Sequence, residues 1–262
     1  MIVFASTLNE CYFDGACVTL NTLKRYAGTD IPYNIFLFSP LSNNKKEILK
    51  HIYPNIIFNE ITDTVYSQYK LNNPFREWNY NVYNRFEIFT LKATKIIFLD
   101  FDLLFTGNID EVINCKADFG ASLRYKDDMP DYFFDNCFDA GVMVIGEKFI
   151  NLDTKISLLK LSQQRDWSSD EPVLNYFFNK HLTVLPRKFN LLTPEYTEYK
   201  DDARIIQFVG KRKPWHVGKF NDKYDDFILT KNKSIIDLKR IEVQYAQELY
   251  NIKQISLAFR QE

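Results

Sequence analysis

The segment Lys95-Ile96-Ile97-Phe98-Leu99 is apolar after its first residue and runs straight into Asp100-Phe101-Asp102. A short run of β-branched and aromatic residues without polar alternation predicts a strand buried on both faces. Such a strand needs strand neighbours and covering layers above and below, so the chain is restricted to an α/β arrangement. Ligands of open α/β sheets gather at the carboxyl ends of the strands, which is where these aspartates fall. Residues two apart on a strand point to one side, so both carboxylates can face one small volume. Two converged carboxylates repel unless a hard cation lies between them, and oxygen donors suit Mg²⁺ or Mn²⁺. A cation with open positions can hold a diphosphate, so the run predicts a metal-dependent nucleotide diphosphate site. By chance alone an Asp-x-Asp triplet arises roughly once in a chain of this composition. Its place at the tip of a core strand, rather than in a polar loop, gives this one its weight.

The rest of the chain is consistent with a covered, mostly parallel sheet. Strands are expected at Ile2–Thr7, Tyr33–Phe38, Asn55–Phe58 and Lys95–Asp100, alternating with helices at Cys11–Tyr26, Asn43–His51 and Val82–Thr90. The second half is less regular, with strands at Asp118–Ser122, Ala140–Ile145 and Arg204–Val209 and helices at Thr154–Gln164 and Glu171–Phe178. The acidic, aromatic stretch Lys126–Phe138 is a candidate lid or acceptor wall. From Ser234 to Leu257, residues Leu238, Ile241, Tyr245, Leu249 and Ile252 recur at three- and four-residue steps, which predicts an amphipathic helix. It is expected to pack on the domain, with a homodimer contact as the alternative. The 262 residues contain no repeat, low-complexity run or linker, so one domain is expected over 1–262.

Composition narrows the function classes. The net charge is −1, with Lys and Arg spread along the chain, which argues against nucleic acid as a partner. Aromatic residues make up 16%, many of them core, although Tyr and Trp also suit stacking on a base or sugar. Cys11, Cys17, Cys115 and Cys137 lack zinc-site spacing and are expected to be reduced, packed thiols, which suits a reducing compartment. The first residues are strand-like and carry no signal-peptide pattern, and no stretch approaches the ~20 apolar residues of a membrane span. A soluble, cytosolic protein is expected. There is no Gly-x-Gly-x-x-Gly or Walker sequence among the eight glycines, so phosphates are expected to be held by metal and side chains.

Several segments taken together resemble a known family. Asn84-Arg85-Phe86 leads into Ile97-Phe98-Leu99-Asp100-Phe101-Asp102 and Asn108-Ile109-Asp110-Glu111. Further on come Cys137-Phe138-Asp139-Ala140-Gly141-Val142-Met143-Val144, Asp170-Glu171-Pro172-Val173-Leu174-Asn175 and Gln207-Phe208-Val209-Gly210-Lys211-Arg212-Lys213-Pro214-Trp215. In that order and at those intervals they resemble the glycogenin-like retaining glycosyltransferases of family 8, with the GT-A fold, over about residues 2–218. Residues 219–262 are expected to form a C-terminal helical extension.

The resemblance implies a UDP-sugar donor, a divalent metal (Mn²⁺, with Mg²⁺ as the alternative) and transfer with retention. It places Asp100 and Asp102 in the metal-binding pair, with Phe101 between them. The family's third ligand is a histidine, and here Gln207 stands in its place. Gln207 is expected to ligate through its carbonyl oxygen, with an additional water or His216 as alternatives. Gly210 and Lys213 match positions that meet the diphosphate, and Gly141 belongs to the donor site. Ser6, Leu8, Asn9 and Tyr12 fall where the family binds uridine, with Tyr12 as a stacking face; Asn9 can cap a helix as well. Arg85 matches a basic residue near the donor phosphates, with an exposed helix arginine as the alternative. Asp139 and Asp170 match residues that bind the donor sugar, and the former is usually Asn. Glu171 stands where the family has Gln. A carboxylate there is either a nucleophile or ion-pair stabiliser, or an acidic residue favoured by the first turn of a helix. Asp170, Asp139, Lys213 and Arg85 complete the expected catalytic set.

An oligosaccharide or glycoconjugate is the expected acceptor. Tyr196 and Tyr199, after Phe189-Asn190-Leu191, open the alternative of self-glycosylation. A protein that binds nucleotide sugars without transfer is a rival, motivated by Gln207 and Glu171. A nucleotidyltransferase is another, but its Gly-rich N-terminal signature is missing.

Overall fold

Short apolar runs alternating with amphipathic segments give the computed structural model a seven-stranded sheet with helices on both faces. The structure describes residues 1–61, 66, 82–124, 136–210, 213–215 and 235–258. In chain order the first elements are β1 (Ile2–Leu8), α1 (Phe13–Ala27), β2 (Tyr33–Leu37), α2 (Asn43–Ile52) and β3 (Ile56–Glu60). A 3-10 helix (Val82–Thr90), β4 (Lys95–Leu99), β5 (Leu103–Phe105), α3 (Asp110–Ile113), β6 (Phe119–Leu123) and β7 (Phe138–Gly146) follow. The chain continues through α4 (Leu152–Ser162), α5 (Asp170–Phe178), β8 (Leu182–Leu185), β9 (Leu191–Leu192), α6 (Tyr196–Tyr199), β10 (Ile205–Gln207) and α7 (Ile235–Ala258).

The large sheet has the order β3-β2-β1-β4-β7-β6-β8. β3, β2, β1 and β4 are parallel, as is the β6–β8 pair, whereas β7 is antiparallel to both β4 and β6. The mostly parallel sheet expected from the alternation therefore has one reversed strand. β7 is the returning arm of an antiparallel pair with β6, which needs no crossover helix. A second, three-stranded sheet has the order β5-β10-β9. Its strands, two or three residues long, are too short to show a period in the sequence.

β4 is buried on both faces. Ile96 and Phe98 belong to the core beneath the 3-10 helix, α4 and α5, and Ile97 and Leu99 to the core beneath α1, α2 and α7. Helix α1 begins after a turn that Asn9 caps, its Oδ1 accepting from the Tyr12 N–H at 3.1 Å, and Gly28 (φ 69°) ends it. Over Val82–Thr90 the expected helix is a nine-residue 3-10 helix. Its three-residue repeat stacks side chains in columns. Tyr83, Phe86 and Phe89 form a buried column, while Val82 and Arg85 face the cavity described below.

On α7 the predicted face is the buried one, since Leu238, Ile241, Tyr245, Leu249 and Ile252 all lie in the core. Glu248 pairs with Arg25 at 2.8 Å and accepts from Asn21 at 3.0 Å, and Lys253 pairs with Asp14 at 2.7 Å, so α7 is fastened along α1. That apolar face is consumed by packing, and the homodimer alternative drawn from it has no support. No helix among the described residues is long and apolar enough to cross a membrane.

Candidate active site

Where β4 ends, the chain crosses from the large sheet to the small one, and Asp100-Phe101-Asp102 forms the crossing. The Asp100 N–H donates to the Gly141 carbonyl at 2.8 Å, which ties the start of the crossing to β7. On the far side β10 runs antiparallel to β5, with Gln207 opposite Leu103, and the Phe208 N–H donates to the Asp102 carbonyl at 2.9 Å. This register sets the Gln207 amide between the carboxylates. Its Nε2 is 3.3 Å from Asp102 Oδ1 and 3.5 Å from Asp100 Oδ2. Gln207 Oε1 is buried with no hydrogen-bond partner among the described residues. A Cβ at Gly141 would overlap that amide, so a residue without a side chain is required beneath it. The Phe101 ring turns the other way and stacks on Tyr33.

Two cations face this group. Arg85 bridges carboxylates, with Nη2 at 2.9 Å from Asp100 Oδ1 and Nε at 3.0 Å from Asp170 Oδ2, and its guanidinium lies over the Phe98 ring. Lys213 Nζ donates at 2.6 Å to Asp102 Oδ2 and at 2.6 Å to the Phe208 carbonyl. Gly210, at φ 90°, supplies the left-handed turn between β10 and Lys213, a conformation that strains other residues. Burial pushes the Asp100 carboxyl well above the usual range; Arg85 opposes this, and Asp102, Asp139 and Asp170 add to it. Burial works against the Lys213 ammonium, but Asp102, then Tyr12 and Asp100, hold its pKa above that of an ordinary lysine.

A second polar cluster lies beside β7. Arg124, just past β6, forms a close ion pair with Glu171, whose other oxygen accepts from the Ala140 N–H at 3.3 Å. Asp139 Oδ1 accepts from the Gly141 N–H at 2.8 Å and from Asn190 Nδ2 at 2.9 Å. Burial, and then the neighbouring Glu171 charge, push the Asp139 carboxyl up to about 6, against the pull of Arg124 and of these two donors.

An open cavity lies against the first cluster, lined by Thr7, Asn9, Tyr12, Phe38, Val82, Arg85, Asp100, Phe101, Asp102 and Asp170. Of the positions expected to meet a nucleotide, it thus brings together Asn9, Tyr12, Arg85, Asp100, Phe101 and Asp102, with Lys213 joined through Asp102. The Ser6 and Leu8 side chains do not reach it. Both are 0% exposed, and Ser6 Oγ bonds the Leu99 carbonyl and the Tyr33 hydroxyl inside the core. Strand alternation explains this, since Thr7 between them is the one that lines the cavity. Thr7, Phe38, Val82, Arg124 and Asn190 were not among the expected site residues. Thr7 was within reach of a parity argument, while Arg124 and Asn190 are brought in only by tertiary pairing. His216 and most of the Lys126–Phe138 stretch lie outside the described residues.

The donor set fits a hard divalent cation. No group of three or more His, Cys, Asp or Glu side chains among the described residues could hold a metal ion, and the further oxygen donor beside Asp100 and Asp102 is the Gln207 amide. Nitrogen and oxygen of a side-chain amide are assigned from hydrogen bonding. Turning the Gln207 amide over would direct the partnerless Oε1 at both carboxylates and leave three oxygens converged, the ligand chemistry of Mg²⁺ and Mn²⁺.

A family profile described as "Glycosyl transferase family 8" matches residues 4–218. Among curated relatives, the chain is 27% identical to a lipopolysaccharide 1,2-glucosyltransferase of Escherichia coli over 53% of its own length and 50% of the relative's. It is 29% identical to human glycogenin-2 over 49% and 26%. It is 27% identical to the glycosyltransferase GlyB of Streptococcus pneumoniae over 79% and 54%. The chain thus spans about half or less of the length of these relatives. Among solved structures, the galactosyltransferase LgtC in complex with donor and acceptor sugar analogues superposes with a TM-score of 0.67 at 17% identity, over 92% of this chain and 100% of that one. The glycosyltransferase GlyE of Streptococcus pneumoniae does so with a TM-score of 0.60 at 15% identity, over 94% and 63%. These two establish a shared fold.

Proposed function

The chain belongs to glycosyl transferase family 8, and from that premise we propose that it moves a hexose from a UDP-sugar to an oligosaccharide or glycoconjugate acceptor, with retention at the anomeric carbon. The observation that carries the reading is the convergence of Asp100, Asp102 and the Gln207 side-chain amide beside a cavity lined by Arg85, with Lys213 paired to Asp102. Asp100, Asp102 and Gln207 would hold Mn²⁺ or Mg²⁺, which when bound neutralises charge on a diphosphate. Asn9 and Tyr12, from the connection between β1 and α1, line the cavity and suit a base and ribose. Lys213 and Arg85 would supply positive charge to the departing UDP, and fixed charge of this kind is commonly the largest single term in such catalysis. Asp170 and Asp139 offer acceptors for sugar hydroxyls.

Glu171 is already engaged by Arg124 and the Ala140 N–H, at the first turn of α5. A carboxylate held by a guanidinium is a poor nucleophile, so same-face attack, with the departing phosphate oxygen taking the acceptor proton, is preferred over a glycosyl-enzyme. Tyr196 is partly buried against the core and neither it nor Tyr199 lines the cavity, so self-transfer within one chain is not favoured. The four free cysteines suit a reducing cytosol.

The test is a panel of UDP-sugars with Mn²⁺, read by UDP release, product anomer by NMR and intact protein mass. UDP release with an α-linked product and unchanged protein mass is expected from one or two of the sugars. A mass increase would favour self-glycosylation. UDP binding without hydrolysis or transfer would favour a non-catalytic sugar-nucleotide-binding protein.

A further inference from the structure

We propose that Tyr245, on helix α7 beyond the residues matched to the family, is a positioning residue that holds the nucleotide side of the site in its binding form. The inference rests on the reading of the cavity as a nucleotide site. Tyr245 is 0% exposed and packs between two aromatic residues, each of which touches a part of the site. Its ring stacks on Trp215, with centroids 5.7 Å apart and planes at 28°, and meets Phe208 edge-on at 5.1 Å. Trp215 in turn meets Tyr12 edge-on at 5.5 Å, and its Nε1 donates to the Cys11 carbonyl at 3.2 Å. Tyr12 lines the cavity, so one of these contacts begins a relay of three rings from α7 to the cavity wall. Phe208 is the second contact of Tyr245. Its N–H bonds the Asp102 carbonyl and its carbonyl accepts from Lys213, so its placement fixes the strand end that presents Gln207 and Lys213.

The contacts of the position among the described residues are made by its ring. The Tyr245 oxygen is buried and has no hydrogen-bond partner among the described residues, so the stacking face is what the site uses. The room is also reserved from the other side. A Cβ at Gly15 on α1 would come within 2.8 Å of Trp215 Cη2 and would overlap the Phe101 carbonyl, so the indole lies directly against the α1 backbone. The pairs Arg25–Glu248 and Asp14–Lys253 hold α7 in register beside α1, and with it the height at which Tyr245 meets the indole.

The experiment uses the full chain and titrates UDP in the presence of Mn²⁺ by calorimetry, alongside thermal melts and the KM and kcat for the donor. Four proteins are compared: wild type, Tyr245→Phe, Tyr245→Leu and Leu238→Ala, the last removing buried volume from the same helix. Tyr245→Phe is expected to bind UDP within about twofold of wild type, because the ring remains. Tyr245→Leu is expected to lose roughly tenfold in UDP affinity and to raise the donor KM with little change in kcat, since two ring contacts are lost. Leu238→Ala is expected to melt at least as low as Tyr245→Leu yet to keep UDP affinity within about twofold. Tyr245→Met, which fills the space without a ring, supplies the same comparison where the leucine variant does not fold. The inference is overturned if the leucine or methionine variant binds UDP like wild type, or if Leu238→Ala loses as much affinity. Wild type that fails to bind UDP at all would instead bring down the nucleotide reading of the cavity, and this inference with it.

Discussion

Replacing Lys213 by methionine probes the site most directly, because Lys213 is the internal cation of the carboxylate pair. Its ammonium is 2.6 Å from Asp102 Oδ2, and the two residues are only 5% and 6% exposed. Methionine keeps most of the volume and removes the charge. Asp102 then lies buried beside Asp100 without its counter-ion, and the Phe208 carbonyl loses its donor as well. Breaking a buried pair from one side costs about 3–5 kcal/mol. For a domain of this size that lowers Tm by roughly 6–12 °C at the low end of the range. The decisive measurement adds Mn²⁺. In wild type the cation must compete with Lys213 for Asp102, whereas in the variant it fills a charge deficit. Mn²⁺ at a hundred times its Kd returns about 2.7 kcal/mol, enough to offset most of the loss. Thermal melts in EDTA, in Mn²⁺, and in Mn²⁺ with UDP give the answer. Lys213→Met should melt lower than wild type in EDTA, gain more from Mn²⁺ alone, and gain less from adding UDP. Equal melting in EDTA, or a Mn²⁺ shift no larger in the variant, would refute the assignment of Lys213 as the stand-in for a bound cation.

Three further outcomes are expected. Asp139 is pushed up to about 6, so its folded form keeps a proton that the unfolded chain releases near the ordinary carboxylate pKa. Its contribution is therefore fully present below about pH 4 and is lost as pH rises through about 6. Asp139→Asn should be more stable than wild type at pH 7.5, by on the order of 2 kcal/mol, with the gap closing toward pH 4 in urea melts; a gap independent of pH would count against it. Gly141→Ala pushes a methyl into the Gln207 amide, and the Mn²⁺ concentration needed for half-maximal thermal stabilisation should rise about 10–100-fold; an unchanged midpoint would show that the amide takes no part. Gln207→His exchanges an amide oxygen for imidazole, so the ratio of Mn²⁺- to Mg²⁺-supported activity should increase, and an unchanged metal preference would argue against ligation at this position.

Much of the framework is legible without coordinates. The unbroken apolar run before Asp100 announces a strand with two covered faces, and Ile96–Phe98 and Ile97–Leu99 do divide between two cores. The three- and four-residue steps of Leu238 to Ile252 announce the buried face of α7. Asn9 caps the turn before α1, one of the two roles open to it, and also lines the cavity. The motif points to a segment, whereas strand parity decides that Thr7, and not the side chain of Ser6 or Leu8, faces the cavity.

The linear order of residues determines that Asp100 and Asp102 end a core strand and that charge is concentrated in a few short motifs, because burial and periodicity are local properties of the chain. Only the three-dimensional arrangement decides which cation answers which anion. Arg85 between Asp100 and Asp170, Lys213 on Asp102, Arg124 on Glu171 and Tyr245 behind Trp215 all join residues distant in sequence. Such contacts depend on the register of β10 against β5, the reversal of β7 and the seating of α7 on α1, and those are set by packing of whole elements, which no single segment encodes.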